Sequence, residues 1–239
     1  MAEYMPQLAP IVVLLFLGSA ILIGISVLVL FCGAVCRSSL LAKLGGGTAL
    51  TVAAGYFLLL GGVSFASSEK VLPPGGLKYF CEIDCHLAYS VEGVQTAAAL
   101  GPELQQIIAH GKFIVVRVKT WFDERTISAQ RGNGPLTPNR RKVFLVDDAG
   151  RSFAVSLDGQ SKLNSSGSNS TPLSHPLRPG ESYTTDLVFD VPSDARGLRL
   201  LIAEDDPETR LLIGHENSLL HKKIFLDVQA APRLVGLLR

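Results

Sequence analysis

Two long apolar runs follow one another at the N-terminus, residues 11–36 and 44–68, and neither contains a charged side chain. An α-helix needs about 20 apolar residues to cross a hydrocarbon core of about 30 Å. We therefore expect a transmembrane hairpin in residues 1–68. The remainder of the 239-residue chain alternates polar and apolar positions and is rich in turn residues. It predicts a linker at 69–78, a folded domain at 79–230 and a short tail at 231–239.

The short polar segment between the two runs predicts the orientation of the chain. It contains Arg37 and Lys43, whereas the residues before the first run contain no Lys or Arg. Basic connectors stay in the cytoplasm. The missing basic n-region and the length of the first run also disfavour a cleaved signal peptide. We expect a multi-pass protein of the inner, cytoplasmic membrane with its C-terminal domain on the periplasmic or extracytoplasmic side, although Lys70 and Lys78 oppose this orientation.

Small residues within the two runs could let the helices approach each other closely. Such residues bring helix backbones together in membranes. The same glycines could also face lipid without a partner, so the sequence leaves both arrangements open. The small residues concerned are Gly18, Ser19, Gly24, Gly55, Gly61 and Gly62.

The balance of charges excludes several functions. The chain has 22 Lys and Arg and 21 Asp and Glu, for a net charge of +1. It has no basic stripe with interleaved aromatic residues, so we expect no nucleic-acid partner. The pair Arg140 and Arg141 is interpreted as a solvated turn. The sequence has no nucleotide-binding glycine pattern, nucleophile elbow or catalytic spacing of histidines, and we expect no enzyme.

Seven segments of the C-terminal part have the period of two and the β-branched and aromatic content of strands. We also expect one short helix at 102–110 and a loop at 162–174. Trp121 fits the alternation of its segment and is expected in the core. The pattern predicts an all-β, antiparallel sandwich of the immunoglobulin type. The predicted strands are residues 79–91, 113–122, 142–147, 152–157, 183–191, 198–203 and 223–228.

Four stretches of the same region resemble a known family. LRPGE at 177–181 and LVFDVP at 187–192 resemble a segment of bacterial secreted immunoglobulin-like domains of uncharacterised function. GKFIVVRV at 111–118 and FLVDDAG at 144–150 are similar to that family's second and third strands. The resemblance implies an immunoglobulin-like β-sandwich. Its motifs occupy turn and core positions, so it implies a fold without an activity.

The segment YFCEIDCHLAYSV at 79–91 contains the domain's two cysteines. Every odd-numbered residue of this segment is apolar, and Glu82, Asp84, His86 and Ser90 lie between them, which predicts one continuous strand with Cys81 and Cys85 on its apolar face. Residues four apart on a strand are separated by about 13 Å. A disulfide requires Cα atoms within about 7 Å. This interpretation favours cysteines that pack in the core without a disulfide, as free cysteines often do. A disulfide between Cys81 and Cys85 would require a bend in the segment, and the sequence leaves that alternative open.

A metal site is the alternative interpretation of this segment. Two thiolates and an imidazole suit copper. The Cys-x3-Cys-His stretch behind two apolar spans resembles the copper-handling subunit of haem-copper oxidases and its assembly proteins. That resemblance implies a copper site formed by Cys81, Cys85 and His86. The oxidase motif differs in having a His at the position of Tyr89.

A polar cluster is a further candidate site. Glu82, Asp84 and His86 occupy the polar positions of the predicted strand, about 6.6 Å apart per step. With His215 or His221 they could bind zinc or a hard cation. The alternative is a solvated strand face, with His215 and His221 as ordinary surface residues.

Together these features predict a membrane-anchored, extracytoplasmic immunoglobulin-like module that binds a protein partner. It would serve as an accessory subunit or interaction protein of a membrane or cell-envelope complex, without a cofactor. The alternative is a copper-binding electron-transfer or metal-delivery protein that uses Cys81, Cys85 and His86.

Overall fold

The computed structural model describes residues 9–82, 85–102, 105–165 and 170–234, with Ala9 and Cys85 described by their backbone only. Residue contacts divide the chain into two compact units. We call the first the helical unit and the second the sandwich. The helical unit comprises Met1–Ser68 and Asp206–Lys223, and the sandwich comprises Glu69–Asp205 and Ile224–Arg239.

Two apolar helices form most of the helical unit. Helix α1 spans Ala9–Val35 and helix α2 spans Ser39–Ala66. Both are long and apolar enough to cross a membrane. Helix α2 begins before the predicted start at residue 44 and includes Lys43, because Ser38 caps it: the Ser38 hydroxyl accepts a hydrogen bond from Leu41 N at 3.5 Å. The connector is therefore shorter than the sequence predicted.

The two helices approach most closely at glycines that the sequence did not single out. A Cβ atom on Gly33 would lie 2.4 Å from Ala42 N, and one on Gly45 would lie 2.4 Å from Leu30 N. Both glycines lie near the connector, where the short turn brings the two backbones together. At the other positions the sequence had left two arrangements open, and the structure agrees with glycines that have no partner helix beside them. No atom lies within 4 Å of a Cβ placed on Gly18, Gly24, Gly55, Gly61 or Gly62.

The helical unit also includes a segment from the C-terminal part of the chain, Asp206–Lys223. Tyr56 on α2 donates a hydrogen bond to Leu211 O at 2.6 Å. Lys222 N donates to the hydroxyl of Ser67 at 2.9 Å. Each bond joins residues 155 positions apart, so a local sequence pattern could not predict it.

Within the described residues, the sandwich contains nine strands in two sheets. The five-stranded sheet consists, in spatial order, of β1 (Lys70–Leu72), β9 (Ile224–Asp227), β8 (Arg199–Glu204), β5 (Arg141–Val146) and β6 (Ser152–Ala154). The four-stranded sheet consists of β2 (Lys78–Glu82), β3 (Cys85–Leu100), β4 (Ile107–Asp123) and β7 (Ser182–Val191). Paired strands are antiparallel except β1 and β9, which are parallel.

The prediction of a β-sandwich is confirmed, but several of its details are wrong. The parallel pair β1 and β9 contradicts an entirely antiparallel arrangement, and β1 lies within the predicted linker. A helix, α3, spans Leu157–Ser165, where a strand end and a loop were predicted. The helix predicted at 102–110 overlaps β4, which begins at Ile107. Residues 103–104 lie outside the described part of the chain.

The core lies between the two sheets, and the register of β4 decides which of its side chains enter it. Val116, Val118 and Phe122 are fully buried there. Because side chains alternate along a strand, Trp121 lies on the opposite, outer face, where it is only partly buried. The prediction of Trp121 as a core residue is therefore wrong. Other large core side chains are Leu87, Tyr89, Leu145, Phe189 and Leu200.

Candidate functional site

Residues 79–91 do not form the single strand that the sequence predicted. Strand β2 ends at Glu82, strand β3 begins at Cys85, and the two strands pair antiparallel, so they form a hairpin. The antiparallel register places Cys81 directly opposite His86. The core face is even-numbered on β2 and odd-numbered on β3, because the register pairs even positions with odd ones, as Phe80 with Leu87. The apolar residue at every odd position of 79–91 thus predicted one strand where the structure has a hairpin.

The hairpin brings together some of the predicted site residues. Cys81 is partly buried and lies opposite His86. Cys85 pairs with Glu82, and its side chain lies outside the described atoms. Asp84 also lies outside the described residues. Among the described residues, no group of three or more His, Cys, Asp and Glu side chains is placed to hold a metal ion.

The same cross-strand line of residues extends from β3 to β4, where the register places Asp123 opposite His86. Asp123 is 2% exposed. Its carboxylate accepts hydrogen bonds from Arg125 Nε at 2.9 Å and Nη2 at 2.8 Å, and from the hydroxyl of Tyr79 at 3.1 Å. The Arg125 hydrogen bonds hold the pKa of Asp123 below its ordinary value. Asp123, Arg125 and Tyr79 thus form a charged cluster on the outer face of the four-stranded sheet.

His86 on β3 lies between Cys81 on β2 and Asp123 on β4. Its backbone N–H donates to the hydroxyl of Thr126 at 2.9 Å. Both ring nitrogens are buried and have no hydrogen-bond partner among the described residues. Burial lowers the pKa of His86, and the nearby Asp123 carboxylate opposes this only in part. A neutral imidazole is therefore present near neutral pH.

Glu82 lies on the opposite, core face and belongs to a buried ion pair. The side chains of Glu82 and Arg141 are 2% and 1% exposed, and the Arg141 guanidinium donates to the Glu82 carboxylate. The Asn139 N–H also donates to it at 3.3 Å. Burial raises the pKa of Glu82, and Arg141 pulls it down in part. The pair is enclosed by the core and has a structural role.

Aromatic rings complete the surroundings of Arg141. Its guanidinium lies 4.4 Å from the centre of the Phe80 ring and 5.8 Å from that of Tyr89. Arg141 was predicted in a solvated turn, which is wrong. The signal was present in the sequence, because Arg141 is in phase with Val143 and Leu145 on an alternating strand.

His215 and His221 lie in the helical unit and are 4% and 7% exposed, so the interpretation of both as surface residues is wrong. His215 Nδ1 accepts a hydrogen bond from Asn217 N at 3.0 Å. His221 Nδ1 donates to Lys222 O at 2.7 Å. These bonds hold the segment in its fold.

Trp121 is partly exposed on the outer face of the four-stranded sheet. We call Trp121, Arg125, Lys119 and Glu92 the Trp121 face. The Arg125 guanidinium lies 5.4 Å from the centre of the Trp121 ring. Lys119 and Glu92 lie 3.9 Å apart with side chains 41% and 38% exposed. A groove of about 840 Å³ runs beside Trp121. The sequence missed this face because it placed Trp121 in the core.

Comparisons with known proteins found only weak structural similarity. No family model and no curated protein matches the chain. A conserved hypothetical protein from Bacillus anthracis is 17% identical, with 53% of this chain and 85% of that chain covered and a TM-score of 0.38. The secreted protein MPT63 from Mycobacterium tuberculosis is 14% identical, with 58% and 91% covered and a TM-score of 0.40. An uncharacterized β-sandwich protein from Clostridium difficile 630 is 9% identical, with 67% and 94% covered and a TM-score of 0.34.

Proposed function

We propose that this chain is a membrane-anchored, extracytoplasmic module of the immunoglobulin type that binds a protein partner through the Trp121 face and catalyses no reaction. The observation that carries the proposal is Trp121 itself, which lies partly exposed beneath the Arg125 guanidinium on an outer sheet face. The module would act as an accessory subunit of a membrane or cell-envelope complex.

The exposed surface of the helices supports the anchoring part of the proposal. Leu58 and Phe65 are each 76% exposed, and Leu14 is 68% exposed. Side chains this apolar on the outside of two long helices are stabilised by lipid rather than by water. Arg37 and Lys43 at the connector favour its retention in the cytoplasm, which directs the sandwich outward.

The composition of the Trp121 face supports a protein partner. Trp and Arg are enriched among the residues that contribute most to protein–protein binding. The exposed pair of Lys119 and Glu92 provides the polar rim that such interfaces have. Burial of the Trp121 ring by a partner would remove its remaining apolar surface from water.

Site-specific crosslinking in native membranes tests this function. A photoreactive amino acid replaces Lys119 in the full-length chain, and a matched control carries it at Leu157, which is 83% exposed. We expect one discrete adduct from position 119 and none from position 157, and Trp121→Ala should abolish the adduct. Equal crosslinking at both positions, or none at 119, would contradict the proposal.

A reporter fusion tests the orientation separately. Alkaline phosphatase is active only outside the cytoplasm, so a fusion after Arg239 should be active if the sandwich lies outside. Reversing the connector charge by Arg37→Glu and Lys43→Glu should reduce this activity, since basic connectors favour the cytoplasm. An inactive fusion that is stably inserted would contradict the orientation.

Copper binding is the second candidate function, and the pairing of Cys81 opposite His86 favours it. A thiolate and a neutral imidazole are copper ligands. Full-length protein purified without chelator should then bind about one copper per chain and show thiolate-to-copper absorption. Cys81→Ser should remove the absorption, whereas Cys32→Ser should not. Protein that binds no copper would exclude this candidate.

A further inference from the structure

A second cavity in the sandwich, of about 740 Å³, is separate from the Trp121 face. Residues of β3 and β4 form one side of it, including Val94 and Ile114. Leu198 and Val228, next to β8 and β9, form another side. The chain segment 229–234 closes part of its rim. Cavities of this size commonly hold small molecules.

The floor of this cavity is apolar and belongs to the core. Ile114, Leu198 and Val228 line the cavity and are 4%, 7% and 3% exposed. All three are members of the main hydrophobic cluster between the sheets. The apolar part of a ligand could therefore lie directly on the core of the sandwich, where water would be displaced.

The rim of the same cavity is positively charged. Lys112, Arg196 and Arg233 line it, and no Asp or Glu is found among its described lining residues. Lys112 Nζ is held by hydrogen bonds to Ala195 O at 3.0 Å and Ser193 O at 3.3 Å. Three cationic side chains at one rim, with no acidic residue among the described residues that line the cavity, favour an anionic group.

The segment that closes the rim is fixed by backbone hydrogen bonds. Val94 N donates to Pro232 O at 2.9 Å and Leu234 N donates to Val94 O at 3.1 Å, which fixes Arg233 between them.

We propose that this cavity binds an amphipathic organic anion. Its carboxylate or phosphate head lies among Lys112, Arg196 and Arg233, and its apolar body lies on Ile114 and Leu198. This site is independent of the protein partner proposed for the Trp121 face. A membrane-anchored protein encounters such anions as fatty acids or as lipid phosphates.

Equilibrium dialysis of the full-length chain in phosphatidylcholine nanodiscs tests the proposal, with empty nanodiscs subtracted. The probes are decanoate and decyl phosphate, which distinguish the two heads, with decanol and inorganic phosphate as the separate halves. We expect one saturable site per chain for at least one of the two anionic probes, and binding of each half at least about tenfold weaker. Absence of a saturable site would overturn the proposal, as would equal binding of decanol or of inorganic phosphate.

Charge variants test the assigned rim. Arg196→Gln and Arg233→Gln should each weaken binding of the preferred probe about tenfold, the loss of one charged hydrogen bond. Arg178→Gln, a change at an exposed residue outside the cavity, should leave the affinity unchanged. Unaltered Trp121 fluorescence confirms that the variants are folded. Wild-type affinity in both rim variants would refute the site.

The closing segment offers a further test of the same cavity. A Cβ atom on Gly93 would lie 2.4 Å from Leu234 Cδ2 and 3.1 Å from the backbone oxygen of Pro232, so a leucine there should displace the segment that carries Arg233. Gly93→Leu should therefore weaken binding at least as much as Arg233→Gln. Full affinity in the Gly93 variant would contradict a role for the segment.

Discussion

Replacement of Arg141 by Met should destabilise the sandwich strongly and in a pH-dependent manner. The substitution keeps an apolar side chain beside Phe80 but removes the Arg141 guanidinium from the carboxylate of Glu82, which is only 2% exposed. Removing one partner of a buried ion pair typically costs about 3–5 kcal/mol. We expect a loss of this size at pH 8, which lowers the folding equilibrium constant by at least about a hundredfold.

The pH dependence follows from the titration of Glu82. Burial already raises the pKa of Glu82 above its ordinary value, and loss of Arg141 raises it further. A carboxyl group whose pKa is higher in the folded state binds protons more tightly when folded. The destabilisation is therefore smallest below the unfolded pKa and grows as the pH rises through the folded pKa. The loss at pH 5 should be clearly smaller than at pH 8.

Denaturant unfolding of the full-length protein in detergent micelles measures these changes. Trp121 is the chain's single tryptophan and lies in the sandwich, so its fluorescence follows that unit alone. Adding Glu82→Gln to Arg141→Met should recover most of the loss at pH 8, because the buried charge of Glu82 is then removed and the remaining neighbour of Arg141, Glu204, is 10% exposed. Lys119→Met at the exposed pair is the control and should cost less than about 1 kcal/mol. A loss below about 1 kcal/mol for Arg141→Met, or one independent of pH, would refute the reasoning.

Three other predictions address the remaining features. Gly45→Val should lower the melting temperature measured by the circular dichroism of the helices, because overpacking costs about 1–3 kcal/mol. Gly55→Val is the control and should leave it unchanged, and equal effects of the two variants would contradict the close packing of α1 and α2 at Gly45. Arg125 lowers the pKa of Asp123, so the stability that this carboxylate confers is present above the unfolded pKa of about 3.9 and is lost as the pH falls. In Asp123→Asn the free energy of unfolding should therefore change less with pH in acid. Burial lowers the pKa of His86, so stability should decline as the pH falls below about 6.5, and His86→Phe should remove that decline; an unchanged slope in urea unfolding would count against it.

Local patterns were sufficient to predict the elements that depend on neighbouring residues. Hydropathy alone predicted two long apolar helices, because a helix of that composition forms its hydrogen bonds internally. The period of two predicted β7 at Ser182–Val191 and β5 at Arg141–Val146 almost to the residue. The same signals predicted a sandwich, because strands with one apolar face must bury it against another layer.

Long-range pairing decided the rest. The apolar odd-numbered positions of residues 79–91 predict one strand, and only the pairing of β2 with β3 placed Cys81 opposite His86. The burial of Val116, Val118 and Phe122 between the sheets leaves Trp121 on the outer face of β4. Arg141 can be buried because the fold places the carboxylate of Glu82, from another strand, beside its guanidinium. Asp206–Lys223 joins the helical unit through hydrogen bonds that span 155 positions. A sequence period specifies which residues share a face, but the free energy that selects a face depends on partners brought together only by the tertiary fold.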